Sequence, residues 1–197
     1  MTQTSKFTSI ITSPKSLAEA AVAPAVGASL IVLIPLIAMQ FTSEVVWTLP
    51  DFIIGWAILF SIGFAYQAIA RKSQQVTFKI ATGIATFTTL FIIWANLAVG
   101  IIGNEENPLN LLYFGVVLLA IFGSYIASLK AKAMFRVMMS VAALHAFVSV
   151  IGLSIFSEQN PDYTIMNVIV INCVLTLLWI VSGLLYNKSA EVLDERN

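Results

Sequence analysis

Charge is what this sequence has least of. Its 197 residues include ten lysines and arginines, ten aspartates and glutamates and a single histidine, so charged residues make up 10% of the chain, where a soluble domain carries roughly 25%. The formal net charge is zero, which leaves no basic footprint for nucleic acid. None of the ten acids falls well inside an apolar run. The carboxylate relays that proton-coupled carriers and ion pumps place in mid-membrane therefore have no counterpart here. Cysteine is nearly absent as well: Cys173 stands alone within an apolar segment, which excludes an intrachain disulfide and a cysteine-held zinc. No serine–histidine–acid or metalloprotease spacing is found. The stretch from Met1 to Pro24 lacks the charged-then-apolar order of a cleavable signal peptide, so the first hydrophobic helix is expected to stay in the mature protein.

Apolar residues fill the chain instead, at 59% of the total with a mean hydropathy of +0.92. A helix crosses a bilayer with about 20 mainly apolar residues. Six runs approach or exceed that length: roughly Ala25–Gln40, Phe52–Ala70, Ile80–Gly103, Leu109–Leu129, Ala133–Phe156 and Ile165–Tyr186. The expected fold is an all-α polytopic transmembrane bundle of six helices in three antiparallel hairpins. Residues 1–23 would form a cytoplasmic N-terminal segment, with a short helix from Ser13-Pro14 ending before Pro24. Residues 24–186 would form the transmembrane domain and 187–197 a cytoplasmic tail. The first run is the shortest and contains Pro35, which invites a kink or an extension through the preceding alanines.

Basic residues set the expected orientation. Lys6 and Lys15 precede the first run. Arg71, Lys72 and Lys79 follow the second, Lys130, Lys132 and Arg136 follow the fourth, and Lys188 and Arg196 follow the sixth. The loops around Glu44, Glu105 and Glu158 have no lysine or arginine. Since cytoplasmic loops concentrate positive charge, both termini are expected inside. At the outer loops, Thr48-Leu49-Pro50-Asp51, Asn107-Pro108 and Asn160-Pro161 combine a capping residue with a proline suited to the first helical position. The likeness of Glu105-Glu106-Asn107-Pro108 to Glu158-Gln159-Asn160-Pro161 is better explained by these capping needs than by duplication.

Three features could carry chemistry. In the third run Thr82, Thr86, Thr89, Asn96, Gly100 and Gly103 follow alternating steps of four and three, with Ile93 filling the gap, which would set them on one stripe. Close helix packing is the preferred explanation, and the wall of a polar pathway the alternative. His145 lies near mid-membrane on a face shared with Met138, Ala142, Ser149 and Gly152, so its ring should point into the bundle. With Asn172 it forms a candidate buried polar cluster, in which a neutral ring bonded to a neighbour is preferred over a functional role. Haem through His145 and a methionine, or copper through His145, Met138 and Cys173, is the least favoured alternative, and no cofactor or metal is expected. Asn96, Glu106, Asn107 and Asn110 should gather at the outer mouth as a candidate polar site, weighed against simple capping. The outward acids Glu44, Asp51, Glu105, Glu106, Glu158 and Asp162 are expected to complement helix N-termini rather than to bind a cation.

From Leu33 to about Tyr186 the chain also resembles an uncharacterised family of small six-helix bacterial inner-membrane proteins. The resemblance rests on Met39-Gln40-Phe41-Thr42, Glu44, Trp47-Thr48 and Asp51-Phe52. It continues through Trp94-Ala95-Asn96-Leu97-Ala98-Val99-Gly100-Ile101-Ile102-Gly103 and Glu106-Asn107-Pro108-Leu109-Asn110, then Tyr113. Ala95 and Asn104 depart from the family's valine and serine, and His145 from its glutamine, which argues against a family-wide catalytic role for this histidine. The resemblance implies an inner-membrane helical bundle and brings no substrate, activity or cofactor.

These readings order the functions. First comes a non-enzymatic protein that acts by contact, its partners the lipid bilayer and either a second copy of itself or another membrane protein. A small oligomeric transporter or channel for a neutral solute is the alternative. A membrane enzyme or cofactor protein centred on His145 comes last.

Overall fold

The computed structural model of the chain describes residues 14–159 and 166–194. Among these residues there are six α-helices and no strand: α1 (Pro14–Ala38), α2 (Leu49–Ala70), α3 (Val76–Ala98), α4 (Leu112–Ile126), α5 (Ala131–Gln159) and α6 (Met166–Asp194). A single 3-10 turn, Pro108–Leu111, leads into α4. Each helix, with that turn added to α4, is long and apolar enough to cross a membrane. The chain is a multi-pass integral membrane protein.

Two compact units divide the chain after Arg71. In the first, α1 lies against α2. The sequence pattern places a break before Pro24, yet α1 runs unbroken through both Pro24 and Pro35. A proline inside a helix has no N–H for the ladder, and its ring crowds the carbonyl four residues back. Gly63 of α2 lies close against Pro24: a Cβ added to it would come within 3.1 Å of the Pro24 Cβ. A turn further along, the Trp56 indole donates to the Ser29 hydroxyl at 3.1 Å. At the head of α2 the Asp51 carboxylate accepts the Thr48 backbone N–H at 2.7 Å and the Thr48 hydroxyl at 2.6 Å, so the expected cap is present.

In the second unit α6 packs most extensively on α5 and then on α3, while α4 leans on α5. The reason is legible in spacing. Val168, Asn172, Leu175, Trp179, Ser182, Tyr186 and Ser189 are all buried, at steps of four and three that keep one seam facing a neighbour. Met134, Met138, Val141, His145, Val148 and Gly152 repeat the pattern on α5, and Phe78, Thr82, Ala85, Thr89, Ile92 and Asn96 on α3. Glycines set the closest approaches. A Cβ on Gly123 would lie 2.7 Å from Val137 Cγ1, and one on Gly183 3.3 Å from Met138 Cβ.

Two expected boundaries move. The third run was expected to continue to Gly103, but α3 ends at Ala98. Val99 and Gly100 both donate to the Ala95 carbonyl, at 3.0 and 2.8 Å, and Gly100 and Gly103 take φ of +74° and +72°, a left-handed conformation that glycine adopts without strain. These two glycines therefore leave the helical stripe and shape a loop. At the other end of the chain α6 passes Tyr186 and continues to Asp194. The Asn160-Pro161 cap lies outside the described residues.

Candidate functional site

The loop between α3 and α4 is built around Asn110. Its Oδ1 accepts from the backbone N–H of Ile101 (3.0 Å) and Ile102 (2.9 Å), and its Nδ2 donates to the carbonyls of Ile102 (3.2 Å) and Asn104 (2.7 Å). All four hydrogen-bonding positions of the amide are thereby used. The loop needs this service because Ile101 and Ile102 are buried, and buried backbone groups require partners. Ile102 reaches the α5 backbone at Gly152, where an added Cβ would meet its Cδ1 at 2.5 Å. Asn107 caps the following turn, its Oδ1 accepting from Leu109 N at 3.0 Å, with Pro108 at the first position.

Of the four residues expected at the outer mouth, Asn107 and Asn110 thus serve one loop. Asn96 sits on the α3 seam at 6% exposure and donates to the Ile92 carbonyl at 2.7 Å. Glu106 is exposed. The structure thus brings Asn107 and Asn110 together in one loop, with Asn96 buried on α3.

The second grouping lies deeper, where α4, α5 and α6 meet. Asn172 Oδ1 accepts from the Tyr113 phenol at 2.7 Å and from the Ser149 hydroxyl at 2.6 Å, while Asn172 Nδ2 donates to the Val168 carbonyl at 2.8 Å. Ser149 also lies 2.7 Å from the His145 carbonyl. Its single proton serves one acceptor at a time. The His145 ring stacks at a tilt on Tyr113, centroids 5.4 Å apart at 57°. Its exposure is zero, and neither ring nitrogen has a hydrogen-bond partner. His145 and Asn172 therefore belong to one buried neighbourhood, joined through Tyr113 and Ser149. Comparison with protein-family models, with curated proteins and with solved structures gives no match.

Tyr113 is the member that sequence reasoning did not place in the cluster. Its position, one turn after the Asn107-Pro108 cap, keeps it on the inward face with Val116, Val117 and Ala120. Trp179 was likewise missed: it is wholly buried on the α6 seam. The step from Asn172 through Leu175 to Trp179 is the signal that finds it.

Thr82, Thr89 and Asn96 of the α3 stripe are buried and Thr86 is half-buried. Thr82 exchanges a 2.9 Å hydrogen bond with the Tyr186 hydroxyl and is itself fully buried. Ser182 donates across to the Ala81 carbonyl at 2.9 Å. Thr86 and Thr89 return their hydroxyls to the carbonyls of Thr82 and Ala85, both at 2.9 Å. The copper set considered from sequence does not assemble, because Cys173 is exposed on α6 while Met138 and His145 are fully buried. Among the described residues no three His, Cys, Asp or Glu side chains gather to hold a metal.

Proposed function

We propose that this chain is a non-enzymatic protein of the bacterial inner membrane, with both termini in the cytoplasm, that acts by lateral contact with another membrane protein or a second copy of itself. The observation that carries this reading is where the polar side chains are spent. A solute path along α3 would require hydroxyls free to meet the solute. Those of Thr82 and Thr89 are buried and bonded to protein partners instead. A substrate would likewise need an approach to His145, which has no exposed surface. What the molecule offers to its surroundings is apolar: Ile34, Ile54, Phe122 and Leu184 are each more than half exposed.

A photoreactive side chain placed at each of those four positions in native membranes tests the reading. Discrete protein adducts at one or two positions, identified by mass spectrometry, are the expected result, with lipid adducts at the rest. Lipid adducts at all four positions would count against it. Swelling of proteoliposomes in glycerol or urea should match protein-free vesicles, and faster swelling would favour a channel for neutral solutes.

A further inference from the structure

Three side chains deep in the second unit carry polar atoms without partners: Asn96 Oδ1, both ring nitrogens of His145, and Trp179 Nε1. Their exposures are 6%, 0% and 0%. The surrounding hydroxyls and amides, by contrast, are bonded with normal lengths. A neutral imidazole has one donor and one acceptor nitrogen, and buried side-chain polar atoms in folded proteins overwhelmingly find a protein or water partner. His145 leaves both positions open at once.

The nearest hydrogen-bonding side chains are engaged with one another. Tyr113 and Ser149 are turned to Asn172 Oδ1, and Asn172 Nδ2 is committed to Val168 O. Acceptor capacity is nonetheless in surplus. The Tyr113 and Ser149 oxygens keep lone pairs that none of these bonds uses. A ligand that both donates and accepts, and is small enough to share a closely packed interior, can join one ring nitrogen to these oxygens. Internal waters take just such positions, with two to four polar partners each, at about one per 27 residues.

We infer that His145 and the Tyr113–Ser149–Asn172 cluster bind an internal water, which bridges a ring nitrogen to the cluster. The water takes one hydrogen-bonding position on the ring of the only histidine in the chain. The site is independent of the contact function proposed above, since it lies away from every exposed face.

Solid-state NMR of the whole chain in lipid bilayers, with 15N in histidine and lysine side chains, tests the inference. One histidine gives one pair of ring signals, so no assignment is needed. After selective excitation of water, the His145 ring signals should grow in along with those of the lysines. Lysine signals without any from His145 would overturn the site, as would a ring nitrogen coupled directly to the Asn172 amide with no transfer from water.

Discussion

Asn110 and Asn107 stand three residues apart and do work of different size. Asn110→Ala removes the partners of the Ile101 and Ile102 amides and of two carbonyls, and each buried group left unpaired costs about 1–3 kcal/mol. Asn107→Ala removes one cap, worth about 1 kcal/mol. Thermal unfolding in detergent should therefore show a loss of about 3 kcal/mol or more for the first variant and about a third of that for the second. Gly100→Ala should also destabilise strongly, because its φ is +74° and a Cβ would lie 2.3 Å from the Asn104 carbonyl oxygen. Gly115→Ala meets nothing within 4 Å and should leave the midpoint unchanged or raise it. Equal effects at the two glycines would contradict the loop geometry. The cap at Asn107 was readable from the chain because capping is a contact between neighbours in sequence. The role of Asn110 was not, since its partners gather only once two glycines turn the preceding loop back upon it.

At the level of the helix, spacing told most of the story. The buried seams of α3, α5 and α6 follow the steps of three and four visible in the sequence, and the inward face of Met138, Ala142, His145, Ser149 and Gly152 is buried throughout. Helix ends were less legible. Pro24 reads locally as a stop, yet α1 continues through it with Gly63 of α2 close against the ring. Gly63→Leu should therefore part α1 from α2, and overpacking of this kind costs about 1–3 kcal/mol. Gly27→Leu, with open space around the position, should leave the melting curve where it was. A larger loss at Gly27 than at Gly63 would mean that the Pro24–Gly63 contact does not hold the pair together.

For the molecule as a whole, the expectation with the widest reach is orientation. With Cys173 replaced, single cysteines at the exposed positions Ser43, Asn104 and Gln159 should react with an impermeant thiol reagent added outside spheroplasts. Those at the exposed positions Gln74 and Glu191 should react only after lysis. The reverse pattern would invert the protein in its membrane. The charge asymmetry behind this expectation is read from sequence alone, whereas the Tyr113–Asn172 bond spans 59 residues and needed the packed unit to be seen. One difference among the helices carries a consequence for the lipid itself. The 15 residues of α4 rise about 22 Å, and the four of its leading turn add about 8 Å. The 29 residues of α5 and of α6 rise about 43 Å each. Long helices meet a thick membrane by tilting less, but a short one has no slack to give. Hydrophobic matching is therefore set by α4: lipids with lengthening acyl chains should lower the stability of the reconstituted protein, and the Asn110-tied loop at the head of α4 should be the first part to lose protection against hydrogen exchange.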